Sequence, residues 1–460
     1  MKRVTQFAMI VVCVCSLLSA ASYSQETSVV APDALPGVEP AMLTPTYWAG
    51  LHPDADDIIM TPQRIVEFNA ENRRKDVDSP VGGDGEFRNP LLVVGLPATM
   101  PGDSLRTILD ATIADLMNPG ELYGSSQYYD NRNVTWDGRM KNALAAAMNV
   151  GAVPRSITRR FGIVVNHTSV RKFPTDVPGY HNTESELDRF QVTDLLIGNP
   201  VAVLHQTRDG NFYYCETHIA RGWIAAENIA LSTRNKVREL TERSSFLVMT
   251  TDRVPVYADR DHKIFARYAF FASTLPLESK SNAGYIVSMP VRNNDGSLGL
   301  IPGYIKPGAS ANEGWVPYSK RNLLNLFFGI LHTPYGWHGQ DDKRDCAGTL
   351  RVLFRCFGFD TGRACWTVPG IQTPMPSDLS REEKVSRAQN IEGVITIAYG
   401  PGHVVLFLGK AGNGKMYFMH QCGWGYEEND VHNYVNRVVI NESSHRLYQI
   451  TRPTLYTTVR

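Results

Sequence analysis

The sequence lacks a long apolar run, an excess of either charge and any extended repeat. Its N-terminal apolar stretch, Phe7 to Leu18, is shorter than the roughly 20 residues that a membrane span requires. Lys and Arg number 46 together, as do Asp and Glu, so the net charge indicates no nucleic-acid partner. These absences leave a globular protein of 460 residues, which at roughly 100–200 residues per domain predicts three or four domains.

The first residues predict export. Lys2-Arg3 precedes the apolar stretch, and the small residues Ser19–Ser22 follow it. This order is typical of a secretory signal peptide, here over residues 1–24, with cleavage after Ala21 or Ser24. We therefore expect a secreted or periplasmic protein without a stable membrane span; a membrane anchor is the alternative, and the short apolar run disfavours it.

Cysteine is scarce and is not arranged as a disulfide scaffold. Cys13 and Cys15 lie in the apolar stretch, and neither follows the small residue that a lipoprotein signal requires. Cleavage leaves an odd number: Cys215, Cys356, Cys365, Cys422 and Cys346. In an oxidising compartment at least one thiol therefore stays unpaired, and a reactive cysteine becomes a hypothesis to test.

Changes in hydrophobic periodicity and in the spacing of turn residues divide the mature chain into four predicted domains. Residues 25–157 are mostly helical in pattern, whereas 158–240 and 241–318 contain short β-rich runs separated by turn residues, as in small β-barrels. Residues 319–460 read as helices followed by an antiparallel sheet, which is an α+β arrangement.

A cysteine at a predicted helix start is the first candidate for chemistry. Asp345-Cys-Ala-Gly opens a helix that stops at Gly358, with Asp345 as the N-cap and Cys346 in the first turn. The unpaired N–H groups and the helix dipole favour a thiolate there, with a pKa below that of free cysteine, and can bind an oxyanion. A buried, inert cysteine is the alternative.

Two histidines lie on neighbouring predicted strands. His403 follows a Gly-Pro-Gly turn and opens an apolar strand, and the hairpin tip at 412–414 returns the chain to His420. If the strands pair, period-two alternation lets both histidines share a face, as a base and its orienting partner do. A zinc site formed by Cys346, His403, His420 and Cys422 is the alternative, but no Cys-x-x-Cys or His-x₃-His spacing supports a metal.

At these positions the chain resembles the NlpC-type cell-wall cysteine peptidases. The matching segments are Tyr335-Gly-Trp-His-Gly, Asp345-Cys-Ala-Gly, Gly402-His-Val and His420. The resemblance implies a papain-like α+β domain in which Cys346 is the nucleophile, His403 the base and His420 its orienting residue. Tyr335 is implied to assist the oxyanion hole, and no cofactor is implied.

Upstream segments extend the resemblance to nearly the whole mature chain. Thr168–Pro174, Gly198–His205 and Gly222–Ile224 are similar to the bacterial SH3-like domain that accompanies these peptidases, and Tyr47-Trp48 with Ile65–Asn69 is similar to their N-terminal clip segment. The resemblance thus implies a helical clip domain, two SH3-like barrels and a C-terminal peptidase in one chain, which we expect to be a monomer.

The implied activity is hydrolysis of the γ-D-glutamyl–diamino-acid bond of peptidoglycan peptides with a free N-terminal L-alanine. In the branch with SH3-like domains, the residues at 345 and 347 hold that amine, and here Ala347 replaces a serine. His338 replaces a glycine. The expected substrate contacts are Asp345, Ala347, Trp337, Tyr213 and Tyr214.

The sequence leaves several alternatives open. The diamino acid is either meso-diaminopimelate or lysine. The enzyme could act on stems still attached to glycan, which need no free amine. A catalytically dead wall-binding protein is the alternative of another class, and the retained Cys346, His403, His420 and Tyr335 argue against it.

Overall fold

The computed structural model describes residues 27–78, 93–120, 127–308, 311–363, 368 and 370–460. The predicted signal segment and Cys365 lie outside these ranges. Within them no helix has the length and apolar character of a membrane span. The helices are α1 Pro45–Ala49, α2 Pro62–Asp78, α3 Gly102–Met117, α4 Gly138–Ala147, α5 Arg234–Thr241, α6 Lys320–Phe328, α7 Cys346–Arg355 and α8 Arg381–Ala388.

The strands fall in three main groups along the chain. The first are β1 Thr27–Val30, β2 Thr99–Pro101, β3 Ser156–Thr158, β4 Arg160–Val164, β5 Thr168–Arg171, β6 Gln191–Leu195, β7 Pro200–Gln206, β8 Phe212–Glu216, β9 Arg221–Ala225 and β10 Ile229–Ser232. The second are β11 Phe246–Met249, β12 Val254–Tyr257, β13 Phe265–Ala269, β14 Thr274–Ser281, β15 Gly284–Arg292, β16 Leu298–Ile305 and β17 Ala311–Glu313. The third are β18 Ile371–Pro374, β19 Thr396–Gly400, β20 His403–Lys410, β21 Met416–Cys422, β22 Gly425–Glu428, β23 Val431–Tyr434, β24 Arg437–Glu442 and β25 Leu455–Thr458.

The N-terminal segment 27–78 packs on the C-terminal domain. β1 pairs in parallel with β23, and α1 lies against α6. Trp48 is fully buried, donates from its indole N–H to the Met42 carbonyl at 2.8 Å, and contacts the Tyr417 ring edge-on at 5.5 Å. The segment shares one hydrophobic core with the C-terminal domain.

The next segment, 93–157, packs against the domain that follows it in the chain rather than against the C-terminal domain. Leu105 and Leu109 of α3 share a core with Phe173, Phe190 and residues of β7, β8 and β9. The prediction of a single helical domain over 25–157 is therefore revised, because its two halves bury their apolar faces against different domains.

Two antiparallel sheets follow. β4–β10 are ordered β10-β4-β7-β8-β9-β5-β6, and β11–β17 are ordered β13-β12-β16-β15-β14-β11-β17. They lie within the intervals 158–240 and 241–318, and each encloses a small apolar core of its own. The β-rich runs predicted in both intervals thus correspond to strands in the structure.

The C-terminal domain has the predicted α+β composition. Its sheet runs β18-β25-β19-β20-β21-β24, and α7 packs across β20 and β21. β20 is buried on both faces except at its last residue, because Val404 and Leu406 face the core beneath α7 while Val405 and Phe407 face a second core. The polar exception at its start is His403.

Trp48 tests how much the N-terminal segment stabilises the C-terminal domain. Replacing a buried Trp by Ala removes its packing and leaves a cavity, so Trp48→Ala should lower the free energy of unfolding by about 3–5 kcal/mol. Trp48→Phe, which keeps a ring but loses the hydrogen bond, should cost less. The measurement is the denaturant midpoint, and an unchanged midpoint in Trp48→Ala would show that the segment does not stabilise the domain.

Candidate active site

Cys346 is the first residue of α7, as predicted. The Asp345 side chain caps this helix by accepting from the Gly348 N–H at 2.6 Å. The cap residue itself is extended, so the chain turns sharply and leaves Cys346 partly exposed at the helix start. Backbone N–H groups of Val404 and Ala347 donate to the sulfur, which places the thiol beside the start of β20.

His403 and His420 meet on one face of the sheet. Gly402, with φ +68°, makes the turn into β20 in a backbone conformation that favours glycine. β20 and β21 pair in antiparallel register, so His403 and His420 are diagonal neighbours on the same face. Their Nε2 and Nδ1 atoms are 2.8 Å apart, which confirms the predicted pairing of the two side chains.

A further residue, Asn441, extends this chain of hydrogen bonds. It lies on β24, next to β21, and its Oδ1 is 2.7 Å from His420 Nε2. Its amide nitrogen donates to the carbonyls of Glu442 at 2.9 Å and Tyr448 at 2.7 Å. Asn441 is fully buried, and sequence analysis did not identify it.

The orientation of Asn441 determines which ring nitrogens carry protons. Because its amide group donates to two carbonyls, its Oδ1 must face His420 and accept a proton from Nε2–H. A neutral His420 then has a bare Nδ1, which accepts from His403 Nε2–H. A neutral His403 is consequently left with Nδ1 as its basic nitrogen.

Burial disfavours the charged forms of the thiol and of both imidazoles. Burial and the adjacent Asp345 carboxylate raise the pKa of the Cys346 thiol to about 12. Burial, with smaller contributions from His420 and Arg452, lowers the pKa of His403 well below 6.5. Burial also lowers the pKa of His420 to about 4, although its bond to Asn441 opposes this shift. These effects oppose the resting thiolate that the helix start led us to expect.

The loop before α7 connects the thiol to the first SH3-like sheet. Tyr335 lies near Cys346, and burial followed by the charges of Asp345 and Cys346 raises the pKa of its hydroxyl, which stays a donor. Trp337 stacks on His338 at 4.0 Å. His338 has φ +53°, a conformation that suits the glycine it replaces, and its Nδ1 lies 3.0 Å from the Gln191 carbonyl oxygen.

The Asp345 carboxylate has three hydrogen-bond partners within the protein. Its Oδ1 accepts from Gly348, and its Oδ2 accepts from the His338 N–H at 3.2 Å and from Arg363 Nη2 at 2.7 Å. Burial opposes its ionisation, but Arg363 and His338 outweigh burial and lower the pKa of the carboxyl. Arg363 already pairs with Asp345, so a substrate amine would have to share this carboxylate, and the expected amine contact stays a prediction. Ala347 is buried in the core and does not present its methyl group to a cleft.

The two tyrosines proposed to reach the cleft lie inside the first SH3-like sheet. Tyr213 packs in its central core, and Tyr214 packs with Trp223 in the core shared with α3. Both are largely buried because the two faces of β8 are both covered. Their assignment as substrate contacts is therefore corrected.

Two openings border the site on either side of the β21–β22 connection. A groove of about 930 Å³ is lined by Tyr335, Trp337 and Gly423, and by a loop of the first SH3-like domain with Glu184 and Glu186. A pocket of about 440 Å³ is lined by His403 and Trp424 on the other side.

Comparison with solved structures shows which fold carries this site. Over 89% of its length the chain superposes on 95% of a structure described as a novel NlpC/P60 endopeptidase from Photobacterium damselae subsp. piscicida, with a TM-score of 0.67 and 18% identity. The chain has the NlpC/P60 fold. Residues 177–225 also match the SH3 domain family (SH3b1 type).

A second NlpC/P60 family structure, from Bacillus cereus ATCC 10987, covers 59% of this chain and 83% of its own, at 15% identity and a TM-score of 0.41. No curated protein matches the chain significantly. Among the described residues no group of three or more His, Cys, Asp or Glu side chains is arranged to hold a metal ion. In this fold the sulfur of Cys346 lies beside the start of β20, and His403, His420 and Asn441 form one hydrogen-bonded chain.

The raised pKa of Cys346 and the lowered pKa of His403 predict how the rates of alkylation and of cleavage depend on pH. Iodoacetamide reacts with thiolates, so alkylation of Cys346 should be slow at pH 7. Its rate should keep rising at pH values above roughly 8.5, which is the pKa of a free cysteine. His403 must be neutral to act as a base, and its lowered pKa means that kcat/KM should stay level as the pH falls through 6.5. Alkylation that saturates below pH 8.5 would instead indicate a preformed thiolate–imidazolium pair.

Asn441 should act through the histidines rather than through folding. Asn441→Leu removes the acceptor and should lower kcat by about 10- to 100-fold, as loss of an outer residue that orients a functional imidazole does at metal sites. Asn441→Asp keeps an acceptor, so it should recover part of the rate. Its carboxylate also favours protonated His420, so the acidic limb of the kcat profile should move to higher pH.

Unfolding midpoints of both variants separate this effect from lost stability. Imidazole nitrogen NMR shifts report the tautomers directly. A Leu variant with an unchanged tautomer and an unchanged pH profile would contradict the role of Asn441.

Proposed function

We propose that this chain is a cysteine endopeptidase that hydrolyses the γ-D-glutamyl–diamino-acid bond of peptidoglycan peptides. The observation that carries the proposal is the position of Cys346 at the start of α7, with its sulfur beside the start of β20, where His403 begins the hydrogen-bonded chain to His420 and Asn441, in an NlpC/P60 fold. The SH3 domain beside the groove also supports it, since the same pairing of domains gives the sequence its resemblance to wall peptidases.

In the proposed reaction the proton moves as the thiol attacks. His403 Nδ1 takes the proton of Cys346 while sulfur bonds to the glutamyl carbonyl carbon, since both groups start neutral. The backbone amide of Cys346 and the Tyr335 hydroxyl are the donors we assign to the oxyanion. His403 then protonates the leaving amine, and water hydrolyses the thioester to restore the thiol.

The state of the substrate's amino end is a separate question. The expected preference for a free L-alanine depended on Asp345, whose two oxygens are occupied by Gly348, His338 and Arg363. This pairing favours the second candidate, an endopeptidase that also accepts stems attached to glycan. The wide groove beside Tyr335 and Trp337 offers room for such a substituent.

Export completes the proposal. The segment 1–24 has the order of a secretory signal, and peptidoglycan lies outside the cytoplasmic membrane. We therefore propose that the enzyme acts in the periplasm or after secretion.

Matched free and blocked tripeptides test both candidates. We expect kcat/KM for a tripeptide with a free L-alanine amine and for its N-acetylated form to differ by less than about tenfold, or about 1.4 kcal/mol. Digests are read by mass spectrometry, which also locates the cleaved bond. Cys346→Ser should abolish cleavage of both peptides, and a chelator should not affect it.

Other outcomes are equally informative. A strong preference for the free amine would restore the first candidate and assign the amine to groove residues such as Glu184 or Glu186. Cleavage at another bond would overturn the proposed specificity. Wall binding without cleavage of any stem peptide would favour the non-catalytic alternative.

A further inference from the structure

The pocket beside His403 carries an unusual set of charges. Arg446 and Arg452 line it together with Glu427, and the rings of Trp424 and Tyr426 complete its wall. Both arginines are exposed, and no carboxylate of the described residues lies within ion-pair distance of either. Arg452 instead lies 5.9 Å from the centre of the Tyr448 ring, and Arg446 donates to the Glu427 carbonyl.

The position of the base identifies which part of a substrate reaches this pocket. A general acid must lie within hydrogen-bond distance of the leaving nitrogen, so the leaving group sits on the His403 side of the thiol. His403 lines this pocket, whereas Tyr335 and Trp337 line the groove. Gly423 borders the groove and Gly425 the pocket, so the chain between them separates the two.

The charges then define the chemistry that fits. Guanidinium groups bind carboxylates through paired, charge-assisted hydrogen bonds. Glu427, whose carboxylate lies 2.5 Å from His432 Nδ1, adds a negative group at the same rim. A pocket with two guanidiniums and one carboxylate matches a zwitterion whose carboxylate and ammonium are on one carbon.

We propose that Arg446, Arg452 and Glu427 form the subsite for the side-chain end of the leaving diamino acid and select meso-diaminopimelate over lysine. The side chain of diaminopimelate ends in both a carboxylate and an ammonium group, whereas that of lysine ends in an ammonium alone. With lysine the two guanidiniums face a like charge and gain no partner, which discriminates against it. This inference rests on the proposed cleavage of the γ-D-glutamyl bond.

The test compares three tripeptides, L-alanyl-γ-D-glutamyl with diaminopimelate, with lysine, or with diaminopimelate amidated at its side-chain carboxylate. We expect kcat/KM for the first to exceed both others by about 10- to 100-fold, the range of one charge-assisted hydrogen bond. Arg452→Gln and Arg446→Gln should each reduce this ratio and leave cleavage of the lysine peptide unchanged or faster. Glu427→Gln should slow cleavage of all three, which share the ammonium group.

Arg381→Gln, at an exposed position on α8, is the matched control and should leave every rate unchanged. If the unmutated enzyme cuts all three peptides equally, the selective subsite is overturned while the proposed function stands. If the arginine variants slow all three equally, the arginines bind the shared main-chain carboxylate and the inference is also overturned. Failure to cut any of the three at the glutamyl bond would overturn the proposed function and this inference with it.

Discussion

The buried carboxylate of Asp345 holds the site together. It caps α7, fixes the loop that carries Trp337, and pairs with Arg363, whose Nε donates to the Val192 carbonyl of the first SH3-like sheet at 3.0 Å. A charge removed from water costs several kcal/mol unless partners compensate it, and here both oxygens have them. The position of Cys346 thus depends on an interaction that spans two domains.

The same carboxylate also opposes ionisation of the thiol. Burial is the larger cause of the raised pKa of Cys346, and the negative charge one residue away adds to it. In the proposed mechanism the thiol therefore loses its proton only as it attacks. His403 and His420 must already be in the tautomers that allow His403 to accept that proton. Asn441 fixes both tautomers through ordinary hydrogen bonds, without a charge of its own.

Local sequence signals predicted those parts of the site that local structure positions. A capping residue before Cys346 and a turn before His403 place each side chain at the start of an element, and alternation along β21 places His420. Asn441 had no such signal, because only the pairing of β24 with β21 brings it to His420. Arg363 meets Asp345 through a loop, and Tyr213 and Tyr214 are buried because separate cores cover both faces of β8. These outcomes depend on long-range packing, which spacing within one segment does not encode.

The N-terminal segment also affects when this protein can become active during synthesis. Asp54 pairs with Lys320, 266 residues later, and β1 completes an edge whose partner strand is made close to the end of the chain. Cys346, His403 and Asn441 come from the last third of the sequence. A nascent chain therefore carries its first segment without its packing partner until synthesis is nearly finished. The candidate site is thus completed only when nearly the whole chain has been made.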